Sequence, residues 1–410
     1  MRRHGVSLLE VLFSIGVISI GLLGVIALYP LALGQIGTGV VADRSARAGQ
    51  NAVQVFSASG MARPDQLLWF PNSTSPMAVD ASVAEPILLP EGRNSGYLID
   101  PMFVAVQRHT NGGGFDARLF PYYTRQSIPN PITPGSPYPS PYDPRLRRIT
   151  LRNSNAASTI MTAAQAELLF RSDDDLTFEL PLDRNAPPDQ IFGANNARRQ
   201  YEGTISWMAT LVPQLDITNP SEPFVDANGD GKWNTGESYT DSNSNSQFDS
   251  GTGPGELYQL SIIVFDRRDS TMAMNDLNEK IANVASFHNL GLGGGDVTLG
   301  ADTLEQLEVK PGQWLMLMST PHPKVPTSSA PGVSLFSWYR VIDMEDEPRS
   351  GSSVYAWERD VVLQGPDWPV SYFASLTSPG PAQRPTRAVL VSNVVAVYER
   401  TIRLEISDSW

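Results

Sequence analysis

The polar and apolar pattern divides the chain sharply near its start. From Val11 to Leu33 the residues are almost uninterruptedly apolar. About 23 residues at ~1.5 Å per residue give ~35 Å of helix, enough to cross a bilayer core of ~30 Å. Arg2 and Arg3 precede the run, so the positive-inside rule puts that end in the cytoplasm and the remainder outside it. From Gln35 to Ser59 the pattern changes to a stripe. Ile36, Val40, Ala48, Ala52, Val53 and Phe56 recur at helical spacings, with Asp43, Arg44, Arg47 and Gln50 between them. Gly60 is placed to end that helix, and Gly37 and Gly39 permit a bend. Beyond Gly60, short apolar runs separated by proline and glycine read as strands: Thr204–Val212, Leu257–Phe265, Gln313–Ser319, Phe336–Asp343 and Asp360–Gln364. The clearest alternation is Val394–Ile406. It sets Val394, Ala396, Tyr398, Ile402, Leu404 and Ile406 against Glu399, Thr401, Arg403 and Glu405, the pattern of an antiparallel strand with one buried face. Met161–Phe170 reads as a short helix, and the proline- and tyrosine-rich stretch 121–144 as an extended loop. The expected fold class is α+β: a long N-terminal transmembrane and amphipathic helix packed on a mostly antiparallel β head.

The residues before the apolar run carry candidate chemistry. Gly5 is followed by Val6-Ser7-Leu8-Leu9 and then Glu10, a carboxylate at the edge of apolar sequence. Burying it in lipid would cost ~2.5–3.5 kcal/mol unless a positive charge met it. A cleaved secretory signal ending near Ala32-Leu33-Gly34 has no need of Glu10, nor does a plain signal anchor. Gly5, the apolar tetrad, Glu10 and the long apolar run together resemble the type III signal of type IV prepilins and type II secretion pseudopilins. Ser19-Ile20-Gly21-Leu22-Leu23-Gly24 further resembles the PilV class of minor pilins. The resemblance covers about 35 residues. It implies cleavage by a prepilin peptidase between Gly5 and Val6, methylation of Val6 as the new terminus, and pairing of Glu10 with the terminal amine of a neighbouring subunit. Family members usually have Phe or Met at that terminus, so Val6 departs from the pattern.

The organisation then expected is a leader at 1–5, a transmembrane segment at 6–34 and its amphipathic continuation at 35–60. A β-rich head at 61–220 and 257–410 would follow, enlarged relative to other pilins, with an insertion at 221–256. The implied partners are other pilin or pseudopilin subunits through the N-terminal helix, the prepilin peptidase and the inner membrane. The implied location is single-pass in that membrane with a periplasmic head, then a periplasmic or extracellular filament.

The insertion contains a 15-residue repeat, Glu222–Gly236 followed by Glu237–Gly251. Oxygen-bearing side chains recur at positions one, three, five and nine of each loop, the arrangement by which a short loop wraps a hard cation. In the first loop Asp226, Asn228, Asp230, Asn234 and Glu237 fall at positions one, three, five, nine and twelve. Lys232 offers its carbonyl at position seven, and Gly231 occupies the sixth. Pro220, Pro223 and Pro254 argue against flanking helices, so the loop is similar to dockerin-like and thrombospondin-type calcium repeats more than to a full EF-hand. The second loop has Asp241, Asn243, Asn245, Gln247 and Asp249, but Thr252 stands where a closing glutamate would be. Structural Ca2+ is the expected cofactor.

Composition narrows the functions further. The net charge is −13, which argues against nucleic acid as a partner. The chain has no cysteine, so disulfides, thiolate catalysis and cysteine-ligated zinc are excluded. His4, His109, His288 and His322 are scattered. No nucleophile elbow, Walker loop or H-E-x-x-H motif occurs, and Gly291–Asp296 reads as a hairpin loop rather than a phosphate cradle. The reading is a structural assembly subunit, not an enzyme. A filament-displayed adhesin using aromatics such as Tyr138, Tyr142 or Trp368 stays open, as does a membrane-tethered enzyme.

Overall fold

The computed structural model describes residues 8–70, 76–79, 96–107, 118–122, 145–153, 160–172, 176–178, 199–201, 204–214, 235–239, 247–248, 257–268, 279–288, 292–319, 335–351, 355–370 and 386–404. The chain divides into two compact units, Met1–Arg47 and Ala48–Trp410. The expected fold class, a long N-terminal transmembrane helix packed on a head, requires correction: the described residues are mostly β, with 45% strand against 29% helix, and part of them forms a closed barrel of six strands.

The first unit is the main part of helix α1, Leu8–Ala58, which continues into the second. From Leu8 to Leu23 its described large apolar side chains are exposed on every side, among them Leu8 at 79% and Ile20 at 75%. Among the described residues no helix is long and apolar enough to cross a membrane. The transmembrane segment at 6–34 and the single-pass inner-membrane location are therefore corrected. Val40, placed in the apolar stripe, is exposed.

The second unit begins with the last turns of α1, where Ala48, Ala52 and Phe56 are buried. Gly60 adopts φ 68°, and Met61 N donates to Phe56 O at 3.2 Å, closing the helix with a left-handed cap. Gly49 has a packing reason: a Cβ there would lie 2.2 Å from Cε2 of Tyr398.

These turns cover one face of an eight-stranded sheet. In chain order its strands are β1 Leu67–Trp69, β2 Met77–Ala78, β3 Tyr97–Ile99, β4 Leu119–Phe120, β5 Leu146–Leu151, β8 Ile205–Pro213, β9 Leu257–Asp266 and β17 Val394–Arg403. The spatial order is β17-β9-β8-β3-β5-β1-β2, with β4 on β5; β3 and β5 are parallel and the other pairs antiparallel. Two-residue alternation splits the strands between two cores. Ile99, Ile149, Leu211 and Ile262 face α1, whereas Leu98, Leu146, Met208 and Ile263 face the other way. Two short helices, α2 Pro101–Gln107 and α3 Ala163–Phe170, flank the sheet. Thr162 caps α3 by a reciprocal capping box with Gln165. Phe170 stacks on Trp207 with ring centroids 4.2 Å apart. A separate pair, β6 Leu176–Phe178 and β7 Arg199–Tyr201, is antiparallel.

The second core lies between this sheet and the barrel, whose strands are β10 Glu279–Phe287, β11 Gly294–Ala301, β12 Trp314–Ser319, β13 Leu335–Met344, β15 Trp357–Gln364 and β16 Arg387–Val391. They run β11-β10-β16-β12-β13-β15, and β11 pairs with β15 to close the ring; β14, Arg349–Ser350, hangs on β15. Met316, Met318, Phe336, Trp338 and Val389 point outward against the sheet. Leu315, Leu317, Tyr339, Val341 and Leu390 fill the interior. Gly294 opens β11 at φ 85°, and a Cβ on it would strike the Tyr339 ring at 2.7 Å. The glycine-rich stretch thus turns the β10–β11 hairpin while making room for a core aromatic.

Candidate functional site

The residues singled out in the sequence fall largely outside the described residues. Gly5 and Val6 do so. Glu10 lies in the first turns of α1, but its side chain is outside the described set. Of the calcium-loop residues, Asp226, Asn228, Asp230, Lys232, Asn234, Asp241, Asn243, Asn245 and Asp249 also lie outside it. Glu237 and Gln247 are described. Beside them Gly236 takes φ 108°, and Tyr239 meets Phe248 edge to face with centroids 5.6 Å apart. Among the described residues no group of three or more histidines and acids is placed to hold a metal. The remaining aromatic candidates, Tyr138 and Tyr142, lie outside the described residues, and Trp368 is buried inside the barrel with Nε1 donating to Thr386 Oγ1 at 3.3 Å.

The strongest polar feature is one the sequence reading passed over. Four charged side chains meet where the chain leaves the sheet and enters the barrel. Asp100 follows β3, Arg148 lies on β5, Arg268 follows β9, and Glu279 opens β10. Arg148 is 1% exposed. It donates to Asp100 Oδ2 at 2.5 Å through Nη1, to Glu279 Oε1 through Nη2, and to the Leu119 carbonyl at 3.0 Å through Nε. Arg268 grips the other side of Asp100 with two bonds of 2.8 and 2.6 Å. The free oxygen of Glu279 accepts from Tyr122 N at 3.0 Å. The Arg148 guanidinium also lies 4.0 Å from the centre of the Phe103 ring and 5.1 Å from that of Phe120.

Two cations and two anions make the cluster neutral, and their forks and oxygens are met within it, which is the condition for burying charge at tolerable cost. Burial pushes the Asp100 carboxyl up, but Arg268 and Arg148 outweigh it and hold the group below the usual aspartate value. For Glu279 burial wins over the pull of Arg148 and the Tyr122 amide, and its pKa is raised. Because Arg268 forks Asp100 and Arg148 bridges Asp100 to Glu279, the arrangement serves to hold elements together. It ties three strands of the sheet, β3, β5 and β9, to the first strand of the barrel, with Arg268 and Glu279 at the two ends of the connecting segment 269–278.

A second group lies on the barrel surface. Thr298 Oγ1 donates to Asp360 Oδ1 at 2.6 Å and sits 2.8 Å from His288 Nε2. Arg349 clamps Asp360 with bonds of 2.6 and 2.9 Å. Arg349 and Thr298 hold the Asp360 carboxyl below its ordinary value against the opposing effect of burial. A hydroxyl, an imidazole and a carboxylate are thus neighbours, but not in relay order. The threonine proton goes to the aspartate, and the imidazole nitrogen facing the threonine is the same one that lies 3.9 Å from Asp360. This is a surface clip joining β11, β14 and β15.

No family model and no curated protein matches this chain.

Proposed function

We propose that this chain is a structural subunit of a helix-cored filament, a minor pilin or pseudopilin in kind. Its α1 would pack against the same helices of neighbouring subunits. The observation that supports the reading is the surface of α1. Leu8, Leu9, Leu12, Phe13, Ile15, Val17, Ile18, Ile20, Leu22 and Leu23 are all exposed, far more contiguous apolar surface than a water-soluble monomer leaves uncovered. Because the exposure runs around the helix, a single flat partner covers only part of it, whereas a bundle of helices covers it all. The glycines agree. A Cβ at Gly16, Gly21, Gly24, Gly37 or Gly39 would meet nothing within 4 Å. Each costs an isolated helix ~0.8–1.0 kcal/mol relative to alanine, with no return inside this chain. Close approach of another helix supplies one.

The prepilin-like start fits the same reading. Removal of Met1–Gly5 would place an amine on Val6, and pairing of that amine with Glu10 of a neighbour would make assembly depend on the correct subunit. Intact mass of the protein isolated from its native source tests this. A chain beginning at Val6, with or without one added methyl group, supports processing by a prepilin peptidase. A chain beginning at Met1 or near Gln35 overturns it. Within the same proposal, Ca2+ is the structural ion of the 221–256 insertion. Asp226, Asn228, Asp230, Asn234 and Glu237 with the Lys232 carbonyl would hold the first ion. Asp241, Asn243, Asn245, Gln247 and Asp249 would form the weaker second site.

A further inference from the structure

The eight-stranded sheet has unequal edges. One is the two-residue β2; the other is the whole of β17, ten residues long. β17 pairs with β9 along one side, and among the described residues no strand pairs with its other side. From Val394 to Trp410 the sequence contains neither proline nor glycine, and the one bulge of β17 lies at its start, between Val394 and Ala396. Its distal half is also its exposed half, with Glu399, Arg400, Thr401 and Arg403 open to solvent. A long regular edge of this kind is a template for another strand.

We infer that β17 pairs with β17 of a second copy, antiparallel and in one register, about a two-fold axis through Thr401. The charges select that register. Centring the pair on Thr401 sets Glu399 of each copy opposite Arg403 of the other, Tyr398 opposite Leu404, and Thr401 opposite itself. A two-fold axis perpendicular to the sheet allows only registers that move the centre by whole residues. Centring on Arg400 stacks that arginine on its own copy. Centring on Glu399 stacks the two carboxylates. Centring on Ile402 sets Glu399 against Glu405. Opposite charges directly across an antiparallel pair stabilise it and like charges oppose it, so three neighbouring registers are penalised and one is favoured twice over. The inference concerns the second unit alone and stands independently of what covers α1.

The absence of cysteine makes the test clean. The full chain is kept in detergent that covers α1, and single cysteines are joined with a short thiol-to-thiol cross-linker. Thr401→Cys is expected to give a covalent dimer. Glu399→Cys alone and Arg403→Cys alone are expected to give little, because each sits about 13 Å from its own copy, four residues along the strand pair. A mixture of the two is expected to link. Glu399→Arg should weaken dimerisation measured by sedimentation about ten-fold, and adding Arg403→Glu should restore it. A monomer at every concentration, equal linking of Glu399→Cys alone and in the mixture, or no recovery in the charge-swapped double variant overturns the inference. Circular dichroism melts matching the parent would show that each variant is folded.

Discussion

Replacing Arg148 with methionine isolates the role of the buried charge network. The change keeps much of the side-chain volume and its contact with Phe103, but removes all three donors. Asp100 retains the two bonds from Arg268, whereas Glu279 keeps only the Tyr122 amide. One uncompensated carboxylate is then buried, and removing one partner of a buried pair costs about 3–5 kcal/mol. Urea unfolding of the full chain in detergent, followed by tryptophan fluorescence, reads that loss as a shift in midpoint at constant slope. Its pH dependence separates lost charge from lost packing. Glu279 is already raised by burial, and without Arg148 its folded pKa rises further above its unfolded value of ~4.3. The native state then binds more protons than the unfolded state across that window, so its relative stability recovers as pH falls. The deficit of Arg148→Met should therefore be smaller at pH 5 than at pH 8. Adding Glu279→Gln should recover part of it at pH 8. A deficit below about 1 kcal/mol, or one that is the same at both pH values, would refute the reasoning.

Three further outcomes are expected. Gly49→Ala should destabilise the second unit by about 1–3 kcal/mol despite alanine's better helix propensity, since its Cβ collides with Tyr398; in a Tyr398→Ala background the same change should be neutral or stabilising. Asp226→Ala combined with Asp230→Ala should lower the melting temperature in calcium but not in chelator, and an equal loss in both would remove the metal from the account. Glu10→Ala should leave removal of Met1–Gly5 intact while preventing recovery of the subunit in filaments, and normal recovery would contradict the amine–carboxylate pairing.

Strand positions were legible wherever apolar alternation was regular. Thr204–Val212, Leu257–Phe265 and Gln313–Ser319 match β8, β9 and β12 to within a residue or so. The strand expected over Val394–Ile406 is β17, Val394–Arg403, with Glu405 and Ile406 outside the described residues, and its alternation departs from the expected one at the start. The bulge between Val394 and Ala396 shifts the alternation, so Val394 faces the barrel while Ala396, Tyr398 and Ile402 face α1. Strands β5, β10 and β16 were missed because Arg147, Arg148, Glu279 and Arg387 interrupt their apolar pattern. Those charges are buried by partners distant in sequence, and a local pattern carries no trace of them. The available signal was a run of arginines at 145, 147 and 148 set among leucine and isoleucine. Closure of the barrel was equally hidden, since it depends on β11 meeting β15 across the intervening β12 and β13. The membrane span followed from unbroken apolar sequence, but no helix among the described residues is long and apolar enough to cross a membrane.

Cross-linking through α1 in isolated assemblies tests the central claim most directly. Cysteine at Leu12 or Ile20 would be introduced singly into the cysteine-free chain, with Leu304→Cys on the barrel surface as the control. The account predicts ladders of linked subunits from the α1 positions and none from Leu304→Cys. Monomers at every α1 position in assemblies that are otherwise intact would contradict it.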